Sequence, residues 1–232
     1  MWMVHFSTRL AALVFSSISG QWQAAASKEW RDLFLERGES NMVSSPIDRD
    51  DHGRHYAYGC FYWESAEIER KELLVFDTRS MEFSISDLPP GECFWSARGL
   101  AIVEAGEGRI GLFGILNEPI DSTFDLSYYI KGNAGESSSK WQLEKTVSLG
   151  SAFRYDIKAA TGTYLLLGMI RSLRIPYLRL VDSDPQMPEW EYISVDVKTL
   201  RLDRVCSNSS EHPYSTKWIY TNFPPSLSSP KI

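Results

Sequence analysis

The clearest pattern of hydrophobic and polar positions lies between Leu73 and Leu88. Its first part, Leu73–Phe76, is apolar at every position, and its second part alternates apolar and polar residues from Met81 onward. Alternation with a period of two is typical of a strand with one buried face. Asp77 opens the connection between the two parts, and an Asp there can accept hydrogen bonds from the following backbone, which favours a type I turn. The pattern therefore predicts a β-hairpin.

The same hairpin pattern recurs along the chain. Trp22, Phe83 and Leu202 follow similar turns, with 61 residues between the first two and 119 between the last two. The second interval is nearly twice the first, so a fourth copy is expected near residue 143. There, Trp141–Leu149 alternates apolar and polar residues after a longer connection. Regular recurrence of one supersecondary unit is the sequence signature of a repeat fold.

Other short apolar segments predict the remaining strands of each repeat, which gives about four strands in about 60 residues. The predicted fold class is all-β and β-propeller-like, with about four four-stranded antiparallel blades. A propeller ring can need more than four blades to close, so an incomplete ring is one expected outcome. An incomplete ring exposes strand edges, so we expect poor solubility or association with other chains. The further strand candidates are Arg9–Phe15, Ala57–Trp63, Leu100–Glu104, Arg109–Leu116 and Thr163–Ile170.

One domain is predicted over residues 1–232. The repeats are placed at approximately residues 9–56, 57–98, 99–160 and 161–232. Because the period exceeds the 40 to 50 residues of common propeller repeats, the extra length is expected in loops. The predicted long loops are Glu36–Arg54, Asn117–Asp125 and Asp182–Glu189.

The segment Ser27–Glu36 does not follow the strand pattern. Trp22, Ala26, Trp30 and Phe34 recur at helical spacing, with Ser27 as a candidate N-cap. A short helix and an irregular loop both fit, and the sequence leaves the two open.

Charge and cysteine content narrow the class of protein. A net charge of −6, from 24 basic and 30 acidic residues without a basic cluster, argues against nucleic-acid and membrane partners. Three widely spaced cysteines, Cys60, Cys93 and Cys206, are interpreted as reduced thiols in a cytoplasmic or nuclear protein. No apolar run reaches the roughly 20 residues of a membrane helix.

A signal peptide is considered at the amino terminus and disfavoured. The apolar run Leu10–Phe15 is shorter than the 7 to 15 residues of a signal-peptide core. If the chain were secreted, Asn208-Ser209-Ser210 would be a glycosylation sequon.

Two motifs suggest binding sites but lack the required context. Gly106–Gly111 matches the dinucleotide fingerprint G-x-G-x-x-G, but a strand-like run follows it instead of the helix that would hold pyrophosphate, so a hairpin turn is predicted. A cluster of candidate metal ligands is interleaved with arginines and has no second cluster to complete it, so a solvated loop is predicted. The cluster consists of Asp48, Asp50, Asp51, His52 and His55.

Several Asp, His and Cys side chains are candidate catalytic groups. Propeller enzymes can assemble acids and bases from several blades, but Asp77 and Asp196 hold equivalent turn positions and are predicted to stabilise turns. Cys93 is predicted to be a small buried residue. The other candidate acids and bases are Asp156, Asp182, His5 and His212. The sequence therefore predicts no catalytic, cofactor-binding or metal-binding residue and no cofactor, and it leaves the target-binding residues unknown.

Four tryptophans, if exposed, are candidate binding anchors. In an all-β repeat such side chains are more often core, and core is the predicted role. They are Trp63, Trp95, Trp190 and Trp218.

Several segments, in this order and spacing, resemble the carboxy-terminal associated domain of plant F-box proteins. The resemblance implies a β-propeller-like module that binds a target protein, joined to an amino-terminal F-box that docks on the Skp adaptor of a cullin ubiquitin ligase. No leucine-rich F-box pattern precedes Arg9, so the Skp adaptor and cullin ligase are expected partners only if a longer form supplies an F-box. The matching segments are Val14–Trp22, Gly59–Trp63, Leu74–Phe83, Leu88-Pro89, Trp141–Leu143, Tyr164–Gly168, Tyr192–Leu202 and Tyr220–Pro230.

The expected function is a non-enzymatic protein-interaction module, similar to the substrate-receptor half of a Skp–cullin–F-box ubiquitin ligase, with an unknown target protein as its partner. Two alternatives stay open: a carbohydrate-binding or glycoside-processing β-propeller, and an inactive truncated gene product. An enzyme should show paired carboxylates about 5 to 9.5 Å apart in one pocket. A receptor should instead show an apolar patch with a polar rim.

Overall fold

The computed structural model describes residues 2–36, 38, 55–64, 72–89, 99–117, 123–132, 140–171 and 190–208. These residues form four separate antiparallel sheets and one short helix in an incomplete β-propeller-like arrangement. The predicted all-β, β-propeller-like fold class is confirmed. None of the described helical residues forms a segment long and apolar enough to cross a membrane.

The first sheet is a three-stranded meander followed by the helix. Its strands are β1 (Trp2–His5), β2 (Arg9–Ser16) and β3 (Gln21–Glu29), and the helix α1 (Trp30–Leu35) begins directly after β3. Hydrogen bonds to the β1–β2 connection hold the start of α1 in place, because Trp30 donates from its backbone N–H to Thr8 O at 3.0 Å.

The other three sheets are four-stranded meanders, so consecutive strands are also neighbours in space. The second sheet contains β4 (His55–Ala57), β5 (Cys60–Glu64), β6 (Glu72–Asp77) and β7 (Glu82–Asp87). The third contains β8 (Leu100–Glu104), β9 (Ile110–Asn117), β10 (Phe124–Lys131) and β11 (Trp141–Gly150). The fourth contains β12 (Phe153–Ala160), β13 (Tyr164–Arg171), β14 (Trp190–Asp196) and β15 (Leu202–Asn208).

The sheets pack face to face in chain order, as propeller blades do. The first strand of one sheet contacts the first strand of the next, since β8 touches both β4 and β12. The outermost strands are the more exposed ones, and β3 and β11 show this most clearly. The first strands of the second, third and fourth sheets therefore lie towards the centre of the arrangement.

Three hydrophobic clusters fill the gaps between successive sheets. One contains Leu10, Trp30 and Phe76 and joins the first sheet and α1 to the second sheet. Another contains Tyr62 and Leu112 and joins the second sheet to the third. The remaining cluster joins the third sheet to the fourth. Among the described residues no cluster joins the fourth sheet to the first, so the ring that these residues form is incomplete.

The structure corrects the prediction that Ala57–Trp63 is one strand. Tyr58 and Gly59 have φ angles of +48° and +83°, which form a two-residue turn between β4 and β5. Left-handed backbone at both positions is what a tight hairpin turn requires, and glycine adopts it without steric cost. The sequence conceals this turn because Tyr58, like the aromatic residues after Gly59 and Cys60, is of a type that is common in strands.

Not every sheet begins where a predicted repeat begins. β12 lies in the predicted third repeat, residues 99–160, but pairs with β13 in the fourth sheet. The boundary between residues 56 and 57 falls inside β4, and β1 precedes the predicted start at residue 9. The first and fourth sheets thus start one strand earlier than predicted, whereas the third starts at β8 as predicted, and the first sheet has three described strands where four are predicted. The single domain over residues 1–232 stays a prediction.

The segment left open between helix and loop is part strand and part helix. β3 continues to Glu29, and only Trp30–Leu35 is helical. Ser27 is therefore not an N-cap: it lies in β3, and its hydroxyl donates to Leu10 O at 3.0 Å. Of the predicted long loop Asn117–Asp125, Asn117 ends β9, Phe124 and Asp125 begin β10, and residues 118–122 lie outside the described residues. Glu36–Arg54 and Asp182–Glu189 lie almost wholly outside the described residues.

Candidate interaction surface

Asp77 and Asp196 stabilise turns, as predicted. Asp77 Oδ1 accepts hydrogen bonds from the backbone N–H groups of Arg79 at 2.7 Å and Ser80 at 3.3 Å. Asp196 Oδ1 accepts from the backbone of Lys198 and from both the backbone and the hydroxyl of Thr199. These hydrogen bonds, led by those from Thr199, hold the pKa of Asp196 below its ordinary value.

The backbone confirms that these turns are equivalent. Four residues after Asp77 and Asp196, Met81 and Leu200 have φ angles of +58° and +56°, and Gly20 has +67° four residues after Ser16. One turn geometry is thus repeated in three sheets. Turn stabilisation accounts for the carboxylates of Asp77 and Asp196, so no catalytic role is needed to explain them.

We expect the Asp77→Ala variant to lose about 1 kcal/mol of unfolding free energy, because two hydrogen bonds to turn N–H groups are removed while those groups stay near solvent. Asp77→Asn should lose less, since its amide oxygen can still accept from the same donors. Urea denaturation measures both. A larger loss for Asn than for Ala would contradict the turn role.

Of the two other candidate acids, the structure describes Asp156 but not Asp182. Asp156 lies on β12 beside two cations of its own strand, with Lys158 Nζ at 3.3 Å and Arg154 Nε at 3.7 Å from its carboxylate oxygens. Local charge pairing accounts for this position. Asp182, with His212 and Cys93, lies outside the described residues, and of His5 only the backbone is described.

The glycine motif forms a hairpin turn, as predicted. Gly106–Gly111 connects β8 to β9, with Arg109 N–H donating to Gly106 O and Ala105 N–H donating to Arg109 O, both at 2.9 Å. A strand follows the motif, so there is no helix N-terminus to hold a phosphate.

The candidate metal ligands, for which a solvated loop is predicted, lie mostly outside the described residues. Asp48, Asp50, Asp51 and His52 lie outside them, and His55 is in β4. Burial lowers the pKa of His55 to about 4, and its Nε2 atom is buried without a hydrogen-bond partner. Within the described part of the chain, no group of three His, Cys, Asp or Glu side chains could hold a metal ion.

Polar groups in the second sheet face the third sheet. Cys60, Tyr62 and Glu64 alternate along one face of β5, and His55 pairs with Tyr62 across the neighbouring strand. Burial raises the pKa of Glu64 to about 7, and burial is also the main cause that raises the pKa of the Cys60 thiol. A thiol with a raised pKa is a poor nucleophile. Sequence patterns give no signal for Glu64, because its burial depends on the neighbouring sheet.

The tryptophans named as possible anchors do not form a surface. Trp63 is buried at 5% exposure against the first sheet, so its predicted core role is confirmed. Only the backbone of Trp190 is described, and Trp95 and Trp218 lie outside the described residues. A different tryptophan, Trp22, is 52% exposed.

Trp22 belongs to an apolar face of the first sheet that points away from the second sheet. Leu10 and Ala12 of β2 point into the core, so the alternate residues point the other way. Cross-strand pairing places Val4 beside Ala11, Ala24 beside Leu13, and Trp22 beside Phe15. We call the accessible part of this set the open face; its residues are Val4, Leu13, Phe15, Trp22 and Ala24, whereas Ala11 on the same side is buried at 7% exposure.

Repeat equivalence shows that the open face is an uncovered blade face. Shifting Leu13, Phe15, Trp22 and Ala24 by 61 positions gives residues of the second sheet that all pack in the cluster between the first and second sheets. They are Leu74, Phe76, Phe83 and Ile85. Phe76 and Phe83 are 0% and 3% exposed, whereas Phe15 and Trp22 are 49% and 52% exposed. The same blade surface is thus buried in the second sheet and exposed in the first.

The open face has the composition of a contact surface. The rings of Phe15 and Trp22 pack against each other with centroids 5.5 Å apart, and Ile18 at the tip of the hairpin is 99% exposed. Polar residues continue the same side of the sheet beyond its other end, where Ser27 pairs with Ala11 and Glu29 pairs with Arg9. Large aromatic side chains inside a polar rim are typical of protein-binding hot spots.

No protein-family model matches the sequence, and a search among curated proteins found no match. The resemblance to F-box-associated domains therefore stays a prediction that rests on the sequence segments themselves.

Proposed function

We propose that this chain is a non-enzymatic protein-interaction module that binds its target protein through the open face. The observation that supports the proposal is the exposure of Phe15 and Trp22 on an apolar sheet face whose equivalent in the second sheet is buried. An exposed face of this kind marks a place where another macromolecule packs.

The sequence resemblance extends the proposal. A module of this type, in the cytoplasm or nucleus, would present a target to a ubiquitin ligase when an F-box in a longer form binds the Skp adaptor. Co-purification of that longer form with the Skp adaptor tests this extension. Failure to co-purify would remove the ligase role and leave the binding role intact.

The binding role is tested by placing a photo-crosslinking amino acid at position 22 or at position 205 of the full chain. Val205 is a matched control, because it is 55% exposed on an outer strand of the fourth sheet. We expect position 22 to crosslink a distinct cellular protein that position 205 does not, and Phe15→Glu to abolish that adduct. Equal adducts from both positions would contradict the proposal.

The carbohydrate alternative is tested on the same preparation with a panel of aryl glycosides and immobilised glycans. We expect neither hydrolysis nor retention. Hydrolysis that is lost in Asp156→Asn would favour the enzyme instead, because Asp156 is the one candidate carboxylate among the described residues that serves no turn.

A further inference from the structure

The position that Trp22 holds on the outer strand of the first sheet is filled in the other sheets by Phe83, Leu143 and Leu202. Leu143 and Leu202 are 56% and 38% exposed although a sheet precedes theirs, whereas Phe83 is only 3% exposed. A preceding sheet by itself therefore does not cover this position. The cross-strand pairs are Phe76–Phe83, Tyr129–Leu143 and Val195–Leu202, and the first residue of each packs towards the preceding sheet.

The helix α1 makes the difference at Phe83. It contacts β7, the strand that carries Phe83, and it is the one helix in the part of the chain that the structure describes. Its buried side chains follow the spacing i, i+3 and i+4, which forms one apolar helix face. They lie in the same cluster as Phe83 and are Trp30, Leu33 and Phe34. The outer-strand position is thus buried where a helix packs on it.

The residue type at this position agrees with the presence of the helix. The side chain is aromatic in the first two sheets, at Trp22 and Phe83, and leucine in the other two. A flat ring offers a helix a larger apolar area than leucine does. Trp22 therefore has the side-chain type of the covered position, yet it is 52% exposed. By this comparison, the cover that Trp22 lacks is a helix.

The charge of the chain and the contacts of α1 indicate the polar side of such a helix. Lys28 directly precedes the covering helix region, and its Nζ atom lies 3.5 Å from Phe83 O and 2.7 Å from Glu36 Oε1. Trp22 O is the equivalent acceptor on β3. The net charge of the chain is −6 and the open face itself carries no charge, so a basic partner is attracted and meets no cation there.

We propose that the open face binds an amphipathic helix of the target protein, with bulky apolar side chains at i, i+3 and i+4 over Trp22 and Phe15 and with basic residues beside them. The proposal rests on the proposed function, because it names the element that the same surface would bind. The packing of α1 on the second sheet is the example of this contact within the chain.

A lactam-stapled peptide of about 15 residues tests the proposal, since an unstapled helix of that length is marginal in water. It carries Trp, Leu and Phe at the spacing of α1 and lysines on its polar face. Fluorescence anisotropy with the full chain should show saturable binding, with a dissociation constant on the order of 10 to 100 μM. The same peptide with a proline at its centre cannot keep the helix and should not bind.

Variants at position 22 separate the aromatic ring from hydrophobicity alone. Trp22→Phe introduces the residue of the covered position and should keep the dissociation constant within about threefold, whereas Trp22→Leu should raise it at least about tenfold. Trp22→Glu should raise it at least about 30-fold. Leu202→Glu, at the equivalent position of the fourth sheet, should leave it unchanged.

Three results would overturn the helix proposal. They are the absence of saturable binding at about 1 mM stapled peptide, equal binding of the proline peptide, and a dissociation constant that Trp22→Glu leaves unchanged.

Crosslinking from position 22 distinguishes failure of this proposal from failure of the target-binding role. Mass spectrometry of the adduct locates the crosslinked segment of the target, and a helix with apolar residues at i, i+3 and i+4 would support the proposal. A strand or loop at the crosslink would refute the helix and leave the binding role intact. A stapled peptide that binds through Trp22, without any distinct cellular adduct at position 22, would refute the target and support the preference for a helix.

Discussion

Replacing Phe76 with Ala is expected to lower the free energy of unfolding by about 3 to 5 kcal/mol, whereas the same change at Phe15 should cost about 1 kcal/mol or less. The two residues hold the same position in two repeats. Phe76 is 0% exposed and packs on Phe83 with ring centroids 4.6 Å apart, in the cluster between the first and second sheets. Removing it leaves a cavity, but removing Phe15 only shortens a half-exposed side chain.

Urea denaturation at one fixed, low micromolar protein concentration measures both variants. The wild-type chain at the same concentration is the reference. Similar losses for Phe15→Ala and Phe76→Ala would mean that the open face is covered within one chain. A negligible loss for Phe76→Ala would contradict the packing of the second sheet on the first.

The hairpins are predictable because their signals are local. An Asp or Ser opens each turn, a residue four positions later accepts a positive φ, and apolar residues alternate on the following strand. These constraints involve neighbours in sequence, so they appear in the sequence with the correct register. The pairs Phe15–Trp22, Phe76–Phe83 and Val195–Leu202 occur as the repeat predicts.

Two strands are missed because their patterns are weak. β12 alternates Phe153, Tyr155 and Ile157 with Arg154, Asp156 and Lys158, which is a strand pattern obscured by its charges. β1 has only four residues. Since each is the first strand of a sheet, missing them displaces the predicted repeat boundaries by one strand.

The candidate surface could not be predicted from the pattern, because burial depends on the neighbouring sheet. Phe15 and Phe76 are the same residue type in the same local context, and only the presence of a sheet over one of them makes their exposures differ. The repeat, once aligned, does predict which face of each blade is contacted. It does not predict which blade lacks a cover.

No sequence pattern indicates that Glu64 is buried, yet its carboxyl should make the free energy of unfolding depend on pH. Burial raises its pKa from the ordinary 4.5 to about 7 in the folded protein. The folded state therefore keeps a proton that the unfolded state loses between pH 4.5 and 7, so the free energy of unfolding falls as pH rises through this range. The shift corresponds to about 3 kcal/mol as an upper value. His55, whose pKa falls to about 4, acts in the opposite direction between pH 4 and 6.5.

Because the two groups partly cancel in the wild-type chain, the Glu64→Gln variant isolates the effect. Glutamine does not titrate, so the stability of the variant relative to wild type should increase by up to about 3 kcal/mol from pH 4.5 to 7.5 and then level off. Chemical denaturation at several pH values measures the difference. Glu82→Gln, at an exposed position on β7 of the same sheet, should show a much smaller change. If the stability difference between Glu64→Gln and the wild-type chain did not change with pH, the prediction would be wrong. The carboxyl of Glu64 would then reach solvent from its place between the second and third sheets and be ionised in the folded protein.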